Sequence, residues 1–306
     1  MTIRHLRIFI EVADTGKMSA AASKLYISQP TVSQAIKDLE EHYGMLLFER
    51  LSKKLYITEK GERLLSYARN IVKQFDDMEE KVFESGYVEK LRIGATITVG
   101  ECLLSQIINS FKNINPQMNT YAYINNTKII EDMLLKSELD VAIVEGRIKS
   151  TYLVSSPVIK DYLVLACSMS HPFAKRETVK LSELEKESFA MREEGSGTRE
   201  LFERYMTDNG LSIKTTWLAN STKAIKNAVI ENQNLAVISI RLLEGEIRDG
   251  KIYVIQNTES HWDRYFSIVY HKNKLITPQI KSLVEIVKSY KDTDILREVA
   301  SGRLIK

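Results

Sequence analysis

The segment ISQPTVSQAIKDLEEHYG, residues 27–44, decides how the rest of the chain is read. Val32, Ile36 and Leu39 recur at helical spacing and mark a buried stripe. The other side carries Gln29, Thr31, Ser33, Gln34 and Lys37. These are mostly short or forked hydrogen-bonding groups, not the Glu/Lys mixture that solubilises an ordinary helix. Pro30 falls in the first turn, where a missing N–H costs little. Taken alone, this polar side faces either solvent or base edges, so the flanking segments must decide.

Upstream, Leu6, Ile8, Phe9, Ile10, Val12 and Ala13 predict an amphipathic helix that breaks at Gly16. Ser19 is a candidate N-cap for a second helix, SAAASKL, in which the Ala22 methyl lets another helix cross closely. The stretch YIS (26–28) makes a short turn. Helix, tight turn and helix form the helix-turn-helix pattern. Its second helix lies in the major groove with its N-terminal residues against base edges. There Gln bonds adenine in bidentate fashion, Ser and Thr serve bases or phosphates, and an apolar group such as Pro30 meets a thymine methyl. A small helical bundle with a solvated polar face has the same composition.

The next segment shifts the balance. MLLFERLSKKLYITEKG (45–61) predicts two extended stretches around a basic tip of Arg50, Lys53 and Lys54. Cations on such a wing meet phosphates or enter the minor groove. Three basic residues in a turn are commonly just solvated, but a wing placed directly after a helix-turn-helix favours DNA. Thr58 is positioned to cap a long helix, with Gly86 as its stop. Within it Leu64, Ala68, Ile71, Phe75, Met78 and Val82 are spaced four, three, four, three and four residues apart. That period of about 3.5 marks a coiled-coil seam. A core helix packed on its own chain is the alternative; the narrow stripe and charged flanks favour a dimer helix. A two-fold dimer reads two half-sites, so a pseudo-palindromic double-stranded DNA site is expected.

The stretch LRIFIEVADTGKMSAAASKLYISQPTVSQAIKDLEEHYGMLLFERLSKKLYITEKGERLL (6–65) resembles the N-terminal domain of LysR-type transcriptional regulators. Ala-Ala-x-x-Leu, Ser-Gln-Pro-x-Val-Ser, Leu-Glu, Leu-Phe-x-Arg and Thr-x-x-Gly occur in order at the usual spacing. The resemblance covers essentially the whole chain. It implies DNA contacts at Gln29, Pro30, Thr31, Ser33 and Gln34, with Arg50 and Lys53 from the wing region, and Lys37 is added from the same helix face. Gln34 and Lys53 stand where Arg is frequent in the family. The expected organisation is a winged helix-turn-helix over 1–58, a dimerisation helix over 59–87 and an effector-binding domain over 88–306. The expected assembly is a homodimer or homotetramer, and RNA polymerase is counted among the partners of such a regulator.

From Leu91 the texture becomes alternating strands and helices, which predicts largely parallel sheets. Two such sets fit a clamshell with ligands at strand C-terminal edges. The resemblance implies two Rossmann-like, periplasmic-binding-protein-like lobes. Lobe I is expected at about 88–161 and 268–306 and lobe II at about 162–267, with crossovers near 161–163 and 265–268. Three strand-to-helix junctions are candidate anion sites, because free N–H groups and hydroxyls converge there. They are ATITVG with Thr96 and Thr98, EEGSGTRE with Ser196, Gly197, Thr198 and Arg199, and ANST with Asn220. Plain N-capping explains any one of them; a pair from opposite lobes points to a small anionic metabolite. Glu145, after the strand DVAIVE, could take an ammonium group or be a plain surface residue. Tyr265 and Phe266 either line the cleft or pack in the core. Asn232 and Asn234 replace glycines frequent in the family at a helix-to-strand turn, which Asn also supports.

Composition is that of an ordinary globular protein: 306 residues, 44% hydrophobic, 27% charged, net charge +3. The first 58 residues carry eight Lys/Arg against six Asp/Glu, so charge alone does not argue for DNA. No run approaches the roughly 18 apolar residues of a membrane span. The N-terminus lacks a signal-peptide pattern, and with only Cys102 and Cys167 a cytoplasmic location is expected. Those cysteines raise a redox-sensor alternative, which would need an exposed, low-pKa thiol. Another class is a solute-binding or transferase-like α/β protein with an accessory helical domain. No Walker A, GxSxG or HExxH motif occurs, and the five histidines are scattered. No catalytic residue, metal or cofactor is expected.

Overall fold

The computed structural model describes residues 1–51, 54–83, 90–257, 262–290 and 299–306. They fall into two compact units. The first comprises Met1–Val88 with Leu135–Ser137 and His271–Leu275; the second is the remainder.

The first unit begins with α1 (Ile3–Thr15), α2 (Met18–Lys24) and α3 (Gln29–Tyr43). Phe9, Val12, Ala21, Val32, Leu39 and Leu47 are fully buried, and Ala22 and Ile36 nearly so. The alanines of α2 therefore do pack inward, and the predicted stripe of α3 is its core face. Ser19 does not cap α2: the helix starts one residue earlier, and the residue at its cap, Lys17, makes no side-chain cap bond. The cap that the sequence does not announce is Ser28, whose Oγ accepts the Thr31 N–H and starts α3.

Strands β1 (Phe48–Leu51) and β2 (Lys54–Ile57) pair antiparallel as the wing. Thr58 Oγ1 accepts the Gly61 N–H at 2.9 Å and opens α4 (Glu59–Phe83). Gly61 is required by space: a Cβ there would collide with the Leu47 carbonyl. The predicted stop at Gly86 lies outside the described residues. The heptad stripe divides. Ala68 is fully buried and Leu64 partly so in the core of this unit, while Ile71, Met78 and Val82 are 46%, 50% and 71% exposed. The N-terminal part of α4 is thus an intramolecular core helix, and its distal part carries the unpartnered stripe.

The second unit holds β3 (Lys90–Thr96), α5 (Ile97–Cys102), α6 (Leu104–Ile114), β4 (Asn119–Asn125), α7 (Thr127–Leu135), β5 (Val141–Glu145) and β6 (Leu153–Ser168). It continues with β7 (Thr178–Lys180), β8 (Ser188–Arg192), α8 (Gly197–Asp208), β9 (Lys214–Ala219), α9 (Thr222–Asn232), β10 (Ala236–Ser239) and α10 (Glu244–Arg248). It ends with β11 (Ile252–Asn257), β12 (Asp263–His271), α11 (Pro278–Lys288) and β13 (Ser301–Ile305). Strand order is β4-β3-β5-β12-β6-β11-β13-β7 with β10 on β6, and β8 pairs with β9 separately.

Parallel pairing holds within β3/β4/β5, β8/β9 and β11/β13/β7. It fails at β6 and β12, which run antiparallel to neighbours because they are the two connections that carry the chain from one lobe to the other. One lobe core gathers Ile93, Phe111, Ile143, Phe266 and Leu283; the other gathers Leu165, Phe189, Phe202, Trp262 and Leu304. Leu304 corrects the expected boundary. Residues 268–306 do not all belong to lobe I: α11 packs there, but the chain returns so that β13 pairs with β11 and β7 in lobe II. After β3 the chain forms two helices, α5 and α6, broken at Leu103. At the end of α9 the left-handed residue is Gln233, with φ 54°, rather than Asn232 or Asn234.

Candidate functional site

On α3, Gln29, Pro30, Thr31, Gln34 and Lys37 are exposed and Ser33 is half-buried. Three of these groups already have neighbours. Thr31 Oγ1 lies 2.8 Å from Ser28 Oγ, Gln34 Nε2 donates to Asp38 Oδ1 at 2.7 Å, and Lys37 pairs with Glu41 at 3.4 Å. The Gln34 bond, followed by His5, holds the Asp38 carboxyl below its ordinary pKa. The backbone of Arg50 pairs with Leu55 in the wing, while Lys53 lies outside the described residues. Tyr26, passed over in the sequence as part of a turn, is 96% exposed directly before α3 and holds φ 56°. Its signal is a large aromatic in a turn that needs left-handed geometry, which L side chains other than Asn, Asp and His seldom supply.

The three strand-to-helix junctions prove unequal. At the first, Thr96 and Thr98 each donate a hydroxyl hydrogen bond of 3.0 Å to Glu145, which is buried. Glu145 therefore holds neither a surface position nor a free carboxylate for an ammonium group. Arg264 Nη2 stands 3.9 Å from it, donates through Nε to Asp161 at 2.7 Å and through Nη1 to Thr198 at 2.7 Å. Arg241 and Ser239 complete the set around Asp161. Two carboxylates and two guanidiniums thus neutralise each other where the crossover strands meet both lobes, as burial of charge requires.

At the third junction Ser221 Oγ caps α9 and Thr222 donates to Glu101, so capping and an internal bond account for ANST; Asn220 is exposed. The second junction differs. Ser196 sits at the N-cap of α8 without making the cap bond, and its Oγ is buried with no hydrogen-bond partner. Gly197 allows the close approach there, since a Cβ would meet the Gly146 Cα at 2.8 Å. Asn126 and Lys128 bond the Glu194 and Gly195 carbonyls from the opposite lobe. Beside this contact lies a cavity of 430 Å³ whose lining mixes the cations of Lys128, Arg147, Lys149 and Arg199 with the carboxylates of Glu131, Asp132, Glu194, Glu200 and Glu203, together with Thr127, Gly195 and Ser196. Arg199 is turned to Glu203 and the Arg192 carbonyl. Lys149 pairs with Glu200. Tyr265 is half-exposed and Phe266 is core.

Residues 3–62 match the bacterial regulatory helix-turn-helix model of the lysR family, and residues 84–292 match the LysR substrate binding domain. The chain belongs to the LysR family of transcriptional regulators. Among its relatives, the HTH-type transcriptional regulator CysL of Bacillus subtilis is 28% identical over 294 residues, covering 95% of this chain and 98% of that one. The HTH-type transcriptional activator CmpR of Synechocystis is 29% identical over 279 residues, covering 90% and 91%. Two solved structures share the fold. A full-length OxyR variant from Pseudomonas aeruginosa aligns with TM-score 0.61 at 23% identity over 98% of each chain. Full-length CbnR complexed with its target DNA aligns with TM-score 0.53 at 20% identity, over 94% of this chain and 99% of that one.

This LysR-type regulator is a DNA-binding protein with a C-terminal effector-binding domain. Likeness of fold to OxyR carries no cysteine chemistry with it. Burial pushes the thiols of Cys102 and Cys167 up to about 12, so the reactive thiolate is scarce at neutral pH. Among the described residues no helix is long and apolar enough to cross a membrane.

Proposed function

We propose that this LysR-type regulator reads a pseudo-palindromic DNA site with α3 and is controlled by a small anionic metabolite held at the start of α8. The observation that carries the effector reading is the buried, unpartnered Ser196 hydroxyl beside a 430 Å³ cavity. A buried polar group without a partner costs free energy that a ligand recovers. The free N–H groups at a helix start favour an anion, and Lys128 and Arg147 add exposed cations. The regulatory domain of CcmR from Synechocystis, of similar fold at TM-score 0.61 and 20% identity over 66% of this chain, was solved in complex with 2-PG, which supports a small-molecule ligand for this domain.

Thr96, Thr98 and Glu145 take a different role in this proposal. They form a closed internal cluster in which both threonine hydroxyls are already spent on Glu145, so they hold the lobes rather than the ligand. Gly197 and Thr198 contribute through the backbone start of α8 and the Arg264 bond. On the DNA side, Tyr26 joins Gln29, Pro30, Thr31, Ser33, Gln34 and Lys37 as part of the contacting face. A thermal-shift screen of the full chain over inorganic anions, organic acids and amino acids tests the effector site. Ser196→Ala is expected to abolish the shift given by the active compound while leaving the unliganded melting point near that of the wild type. An unchanged shift removes Ser196 from the site.

A further inference from the structure

We propose that Asp38 is a positioning residue for DNA reading: it fixes the amide of Gln34 so that α3 prefers adenine, and rejects guanine, at the base pair this side chain faces. This deepens the reading of α3 as the DNA-contacting helix and rests on it. Gln34 is exposed one helical turn after Pro30, and Asp38 follows by another turn, so the two share a face. Gln34 Nε2 donates to Asp38 Oδ1 at 2.7 Å. The second oxygen, Oδ2, stands 3.4 Å from His5 Nε2 on α1, and His5 Nδ1 lies 2.7 Å from Thr2 Oγ1. A hydroxyl donating to Nδ1 leaves the ring proton on Nε2, facing the carboxylate. The contacts Thr2–His5–Asp38–Gln34 therefore tie a side chain of the reading face to the start of α1.

The two ends of a glutamine amide are similar in size and opposite in character, so an unheld Gln presents either one to a base. Asp38 removes that freedom. The Gln34 bond first, and His5 after it, hold its carboxyl below the ordinary pKa, so at neutral pH it is ionised and only accepts. It takes the nitrogen end and turns Oε1 away. What remains for the groove is the Oε1 acceptor beside the second hydrogen of Nε2. Adenine shows the complement, its N6 amino donor beside the N7 acceptor, and pairs with it in bidentate fashion. Guanine shows two acceptors, N7 and O6, one of which would oppose Oε1 with a carboxylate charge close behind it. Thymine O4 meets the same conflict, and cytosine N4 satisfies Oε1 alone. Lys37, next to Asp38 in the chain, pairs with Glu41 at 3.4 Å instead.

Selection of a random-sequence duplex library by the full chain at moderate salt, followed by sequencing, tests the proposal. The wild type is expected to enrich adenine over guanine by about tenfold or more at one position of each half-site, and Gln34→Ala to level the four bases at that position alone. Asp38→Ala, at a side chain 43% exposed, is expected to lose most of that adenine preference while keeping the wild-type preferences elsewhere in the site. Asp38→Asn, which retains an acceptor oxygen, is expected to restore it. A purely structural role would instead weaken every position together. A base other than adenine at the Gln34-dependent position, an undiminished preference in Asp38→Ala, or an even loss across the site would overturn the role of Asp38 and leave α3 as the reading helix. No enriched sequence with the wild type would overturn that reading and this one with it. The base taken by the wild type where Gln34→Ala levels the preference needs no Asp38 variant, so it stands even where that substitution disturbs folding.

Discussion

At the scale of single residues, hydrogen-bond donors and acceptors decide roles that residue type alone leaves open. His271, placed in the first unit, illustrates this. Its Nδ1 faces the Asn273 N–H at 3.2 Å and the Asn70 amide at 3.1 Å, and its Nε2 faces Ser66 Oγ at 3.2 Å. Accepting at Nδ1 requires a neutral ring with the proton on Nε2. Burial first, then Lys272, Lys274 and Arg69, push its pKa from 6.5 to about 4. Between those values the unfolded chain binds the proton and the folded chain does not, so stability is complete above the upper value and is lost as pH falls toward the lower one. Urea unfolding of the wild type is therefore expected to weaken between neutral pH and about pH 5, and His271→Gln to flatten that dependence. An equal slope in both proteins would refute this role.

The same scale shows why part of the site escapes the sequence. Ser196, Thr96 and Thr98 look alike as hydroxyls before helices. Only their partners separate them: Glu145 takes the two threonines and nothing takes the serine. Glu145 lies 49 residues from Thr96 in the chain, so no local pattern records the bond. Gly61 is the opposite case. The Thr-x-x-Gly spacing is readable because one turn of helix contains both the cap and the close approach to Leu47.

At the scale of elements, local periodicity fixes what an element is, and its partners fix what it does. The stripe of α3 and the alanines of α2 were legible because their core lies within one short motif. The heptad of α4 was legible as a pattern but not in its division. Ala68 is claimed by α1 and the core of its own unit, whereas Met78 and Val82 are left uncovered. Exposed apolar residues in this spacing mark a surface for a second copy. Met78→Glu is expected to lower the oligomeric state in sedimentation equilibrium without changing helix content. An oligomer as tight as that of the wild type would place the interface elsewhere. The expected lobe boundary fails at β13 for a different reason. That strand joins its sheet from the far end of the chain, where only tertiary pairing with β11 identifies it.

At the scale of the whole molecule, the two-part organisation was visible in the change of texture near Leu91, from helical spacing to alternating strands and helices. The family motifs carried the DNA-binding half, and both halves match LysR-family models. A ligand acts on such a protein only through unequal affinity for two states. The Glu145–Arg264–Asp161 cluster and the bonds from Asn126 and Lys128 to the 194–195 carbonyls are the contacts between lobes that a ligand at Ser196 would favour or oppose.

Binding to DNA tests the central claim most directly. Fluorescence anisotropy of the full chain on the duplex upstream of its own gene, at moderate salt, compares the wild type with Gln29→Ala and Ser33→Ala. Each variant is expected to lose roughly 1–3 kcal/mol of specific binding, while sedimentation and thermal unfolding match the wild type. Wild-type binding no tighter to this duplex than to unrelated DNA, or variants that bind like the wild type, would contradict the assignment of α3 as the reading helix.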